Sequence, residues 1–171
     1  MMPTLKADRQ LHVLLVEDGP GDARLTREAF EGFHRTVRLH IAADGVEAME
    51  FLKRQGAYAD APRPDLILLD LNLPKVDGRE VLFRVKSDPS LKFIPVVMLT
   101  TSSAEDDMVR SYELHANSYL NKSTDWDEFA ALIRSTADFW LTRNRLPQHT
   151  SEPATWTVQP PALADRAKKT S

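Results

Sequence analysis

The sequence predicts a doubly wound α/β domain, a parallel sheet covered by helices on both faces. Three observations predict it. Short apolar runs alternate with stretches of helical period along the chain. Two of the runs, Leu66-Ile67-Leu68-Leu69 and Ile94–Leu99, are apolar on both faces, as buried parallel strands are. The strand–helix units follow one another in order, without an internal repeat.

Leu11–Val16 is an apolar run that ends in Glu17-Asp18 and is broken by Gly19-Pro20-Gly21. From Asp22 to Phe33, Ala23, Leu25, Ala29, Phe30 and Phe33 suit a helix. Val37, Leu39 and Ile41 alternate with Arg38 and His40, a half-buried strand. Gly45 to Gln55 is helical, and Gly56–Pro64 is a Pro-containing loop. The strand Leu66–Leu69 stops at Asp70, and Gly78–Ser87 is the next helix, with Asp77 as its N-cap. Ile94–Leu99 stops at Thr100, and Ser103–His115 is helical. Asn117–Asn121 is a short strand, and Thr124–Arg143 a helix opened by a Thr124-x-x-Asp127 capping box. Five such units form a flavodoxin-like three-layer sandwich, (βα)5, whose sheet is expected in the order 2-1-3-4-5.

The chain has 171 residues, a formal net charge of −3 and no cysteine. That length is about one domain with a remainder. Without cysteine there is no disulfide framework, thiolate metal site or thiol nucleophile. The near-neutral balance speaks against a dedicated nucleic-acid binder. No run is apolar enough to cross a membrane or to act as a signal peptide, so a cytoplasmic protein is expected. Residues 1–9 read as an N-terminal extension and 10–145 as the domain. Residues 146–171, with Pro147, Pro153, Pro160 and Pro161, read as a Pro-rich tail.

Ligands of doubly wound sheets bind outside the carboxyl ends of the strands. The polar residues there are Glu17 and Asp18, Asp70, Thr100, and Asn121-Lys122. Three carboxylates brought together cannot all stay ionised without a compensating cation. Lys122 supplies one charge, and a divalent ion would supply the rest. Oxygen ligands without His or Cys select Mg²⁺, with Mn²⁺ as a substitute. Such a crevice is suited to a phosphoryl group.

The segments Leu14-Leu15-Val16-Glu17-Asp18, Leu68-Leu69-Asp70-Leu71-Asn72-Leu73-Pro74-x-x-Asp77-Gly78, Pro95–Thr100 and Tyr119-Leu120-Asn121-Lys122 resemble a response-regulator receiver domain. The resemblance covers about residues 10–145. It implies that Asp70 accepts a phosphoryl group from a phosphohistidine on a sensor histidine kinase. It implies that Asp18, Asp70 and the main-chain carbonyl of Asn72 hold Mg²⁺, with Glu17 acting through a metal-bound water. Lys122 would pair with a phosphoryl oxygen, Thr100 would bond the acquired group, and Tyr119 would be the aromatic switch. The family is a phosphoacceptor class, with at most slow autodephosphorylation, rather than an enzyme class. Gly78 is expected to free the loop into its helix and Pro74 to stiffen the turn.

The chain departs from the family pattern at three places. Ser123 replaces the usual proline after Lys122, so that bond is expected trans. Thr101 is bulkier than the common Ala or Gly, and His115 stands where a helix-ending glycine is common. The opening 17–26, the Gly56–Pro64 loop, Lys122-Ser123 and Phe139-Trp140-Leu141 resemble regulators paired with phytochrome-type kinases, which implies a bacteriophytochrome partner.

On the last helix, Trp126, Phe129, Ala130, Ile133, Ala137 and Trp140 form an apolar stripe expected to face the core. Leu132 and Phe139 point away from it and are expected to form a homodimer face. Output would then be protein–protein contact or phosphate relay, with no nucleic acid and no membrane. The alternative is an aspartyl-phosphate phosphohydrolase. Those enzymes carry a second Asp two residues after the nucleophile, where this chain has Asn72.

Overall fold

The computed structural model describes residues 9–147. The N-terminal extension, apart from Arg9, and nearly all of the tail predicted for 146–171 lie outside the described residues.

Five strands, β1 (Leu11–Val16), β2 (Val37–Ala42), β3 (Leu66–Leu69), β4 (Val96–Thr100) and β5 (Ser118–Asn121), form one parallel sheet in the order β2-β1-β3-β4-β5. The helices are α1 (Pro20–Glu31), α2 (Gly45–Lys53), α3 (Gly78–Ser87), α4 (Glu105–Glu113) and α5 (Trp126–Ala137). The inner strands explain their own composition. Val13 and Leu15 join one core with Leu66, Leu68, Val97 and Leu99, under α1 and α5. Leu14 and Val16 join the other with Ile67, Leu69, Val96 and Met98, under α2 and α3. Side chains alternate between faces, so a strand buried on both must be apolar throughout. β2 lies at the edge and is largely half-buried, which is why it tolerates Arg38 and His40.

Helix starts differ from the expected ones where local chemistry permits two registers. The first helix begins at Pro20 rather than Asp22, with proline at N1, where its missing N–H costs nothing. The last is capped by Asp125, which accepts from the Glu128 amide at 2.9 Å, so the Thr124-x-x-Asp127 box is one residue out of place. Phe129, Ala130, Ile133 and Ala137 face the core as expected, whereas Trp126, the first residue of α5, is 38% exposed. α5 ends at Ala137 and continues as a wider π-type turn, Asp138–Arg143. Leu132 is half-buried against the α1–α5 core rather than solvated, whereas Phe139 is 50% exposed. Of the expected dimer face, only Phe139 is open.

Asp77 caps α3 through the Arg79 amide at 2.9 Å, as the sequence indicates. Gly78 has a different reason from the one expected. Its φ is not positive, but a Cβ there would run into the Asp70 carbonyl oxygen and the Leu71 backbone. The α3 start is pressed against the end of β3, and only hydrogen fits. His115 follows α4 with φ 69°, the left-handed conformation that explains why glycine is common there. The Lys122–Ser123 bond is trans, since the described residues contain no cis peptide.

Candidate functional site

The sheet itself assembles the site. The Glu17 amide donates to the Ala42 carbonyl (3.0 Å), the Asp70 amide to Val16 (3.1 Å), and the Lys122 amide to Thr100 (2.8 Å). Each bond extends the ladder by a residue and holds a polar side chain at the carboxyl edge of the sheet.

Carboxylate oxygens of Glu17, Asp18 and Asp70 lie within 4.8 Å of one another. Glu17 and Asp70 are buried and Asp18 is exposed. The Lys122 ammonium reaches into this group, bonding Glu17 Oε2, Asp70 Oδ2 at 3.0 Å and Asp22 Oδ2 at 2.9 Å. Glu17 Oε1 accepts from the Gly19 amide at 3.0 Å, and Asp70 Oδ1 from the Asn72 amide at 3.4 Å. Asp22, in the first turn of α1, is the third acid on Lys122. Its clue was position, since the first turn of the helix after β1 borders the same crevice.

Burial alone would lower the Lys122 pKa, but the bonds to Glu17, Asp22 and Asp70 outweigh it and hold the ammonium above its ordinary value. Burial pushes the Glu17 carboxyl up, against the bonds from Lys122 and Gly19, and Asp70 adds to the rise. Acid outnumbers base in the crevice. The three clustered carboxylates therefore fit a divalent cation, and with no His or Cys among them they fit an oxygen-seeking one.

Thr100 is fully buried, and its Oγ1 accepts from the Ser102 amide at 3.2 Å. Tyr119 is half-buried against the core, and its hydroxyl donates to the Ser102 carbonyl at 2.9 Å. Asn121 Nδ2 donates to the same oxygen at 2.5 Å. The Ser102 hydroxyl donates to Asp107 Oδ2 at 2.6 Å, and Arg79 holds the other oxygen of Asp107. Thr100 and Tyr119, both singled out from sequence, thus meet through Ser102, which sequence reasoning missed. A serine in a polar loop carries no signal of its own. Asn72 is exposed and supplies no acid beside Asp70.

Residues 13–134 match the family described as response regulator receiver domain. The chain belongs to the response regulator receiver domain family. This receiver domain is 51% identical over 135 residues to response regulator Rcp1 of Synechocystis, covering 79% of this chain and 92% of that protein. The crystal structure of the phosphorylated cyanobacterial phytochrome response regulator RcpA is 48% identical, with a TM-score of 0.79, and the match covers 82% of this chain and 100% of that one. The Mn²⁺-bound form of Rcp1 is 50% identical, with a TM-score of 0.76, covering 81% of this chain and 99% of that one.

Proposed function

We propose that this receiver domain accepts a phosphoryl group on Asp70 from the phosphohistidine of a sensor histidine kinase. One observation carries the reading: the Lys122 ammonium is bonded to Asp70 and Glu17 in a buried crevice with more acid than base. An Asp70 oxygen attacks phosphorus, the P–N bond to histidine breaks, and the nitrogen keeps the electron pair. Asp18, Asp70 and the Asn72 carbonyl would hold Mg²⁺, or Mn²⁺ in its place, with Glu17 acting through a water. The bound cation supplies charge neutralisation for the phosphoryl oxygens. Lys122 then exchanges its bond to Asp70 for one to a phosphoryl oxygen. Thr100, freed from the Ser102 amide, turns its hydroxyl to the new group. Tyr119 holds Ser102 and follows that loop, so a local dianion biases a two-state element.

The relatives named as phytochrome response regulators support a bacteriophytochrome-type kinase as the donor. Output through protein contact, including a homodimer, is carried by the exposed Phe139 beyond α5. The phosphohydrolase reading is weaker, because Asn72 cannot act as a general acid; hydrolysis of the aspartyl phosphate is expected to be slow.

Incubation with Mg²⁺ and acetyl phosphate tests the reading. It should add one acid-stable, base-labile phosphoryl group, and Asp70→Asn should abolish it. Equal labelling of the Asp70→Asn variant would refute the assignment.

A further inference from the structure

At the end of the sheet opposite the carboxylate cluster, a cavity of about 640 Å³ opens between the end of α2, the segment entering β3 and the α3–β4 loop. Its inner wall is apolar, with Leu52, Pro64 and Leu91 all buried. Its rim is basic. Lys53, Arg54 and Arg63 border it, against one acid, Asp88.

Among the described residues, the three cations form no ion pair with a carboxylate. Arg9, Arg24, Arg79, Arg84 and Arg143 each pair with an Asp or Glu. Among the described residues, no carboxylate lies within ion-pair distance of Lys53, Arg54 or Arg63. Asp88 does not serve them directly, since its Oδ1 accepts from the Ser90 amide (2.8 Å) and hydroxyl (2.7 Å). Arg63 is half-buried, and its guanidinium is held by the Ser90 carbonyl, so it is fixed in place rather than free to swing into water. Burial and the nearby Arg54 both lower the Arg63 pKa, partly offset by Asp65 and Asp88.

The backbone adds a second observation. Arg54 caps α2 in the left-handed conformation, φ 55° and ψ 48°. Glycine is the residue that adopts this without strain. Here a long cation stands in its place, at the mouth of the cavity. The α2 dipole accounts for a cation such as Lys53 in the last turn. It does not account for Arg63, which arrives from another segment.

We propose that this cavity binds a small phosphate monoester with an apolar or aromatic body. The phosphate would sit between Arg54 and Arg63, whose planar forks match phosphate oxygens, with Lys53 as a further charge. The body would lie on Leu52, Pro64 and Leu91. The volume falls within the usual range for small-molecule sites, about 300–1,000 Å³. The site is remote from Asp70, so it would act as a second input to the domain, not in phosphoryl transfer.

The test is an NMR titration of the full chain with adenosine 5′-monophosphate in EDTA, where the carboxylate cluster holds no metal to attract phosphate. Amide shifts are expected at 52–54, 63 and 90–91, and adenosine should bind about tenfold or more weakly. Arg54→Gly suits the backbone, so it should keep the fold while weakening binding about tenfold; Arg63→Met should do the same. Acetyl phosphate labelling of Asp70 should be unchanged in both. No shifts up to about 10 mM nucleotide, equal binding of adenosine, full binding by Arg54→Gly, or shifts confined to residues around Asp70 would each overturn the proposal.

Discussion

Lys122→Met is the sharpest probe of the site, because it removes an ammonium while retaining an apolar stem. Glu17 and Asp70, whose side chains are 4% and 12% exposed, would lose their shared cation. Removing one partner of a buried ion pair costs about 3–5 kcal/mol, since the remaining charge is stranded. Asp22 is 45% exposed and adds little. Urea unfolding in EDTA near neutral pH should therefore show a loss of about 3–5 kcal/mol. Millimolar Mg²⁺ should recover part of it, because a cation that binds only the folded state stabilises by mass action.

The pH dependence has a definite sign. The folded Glu17 pKa is raised by burial above its ordinary 4.5, so its contribution to stability is lost as pH rises through the folded value. Losing the Lys122 hydrogen bond raises that pKa further. The deficit should then be largest at neutral pH and narrow as pH falls toward 4.5. A loss below about 1 kcal/mol, or one indifferent to both Mg²⁺ and acid, would refute the charge argument.

Other outcomes follow from the same structure. Gly78→Ala should cost about 1–3 kcal/mol in urea unfolding and slow acetyl phosphate labelling, because its Cβ displaces the Asp70 carbonyl. Burial lowers the Lys86 pKa from 10.5 to about 8, so the unfolded chain binds more protons between those values. Stability should rise as pH climbs through that window, and Lys86→Met should flatten the rise. Phe139→Glu should lower the mass seen by light scattering if copies associate there; an unchanged mass sets that face aside as the dimer contact.

Much of this protein was legible in one dimension. Doubly apolar strands such as Leu66–Leu69 announce a sheet buried on both sides, because side-chain alternation is a local property. The rule that ligands gather at strand carboxyl ends then picked out Glu17, Asp18, Asp70, Thr100 and Lys122 without coordinates. What remained hidden depends on approach between distant segments. Asp22 is a first-turn acid until Lys122, 100 residues away, is folded onto it. Ser102 is a loop serine until Thr100, Tyr119 and Asp107 converge on it. Gly78 reads as a flexible hinge, and only the packed backbone of Asp70 and Leu71 shows it to be a matter of space. Trp126 shares the helical stripe of Phe129, Ala130, Ile133 and Ala137, which are buried, yet as the first residue of α5 it is 38% exposed. Periodicity determines which elements form and which residues end them. Contact geometry, which no local pattern encodes, decided which of those residues touch.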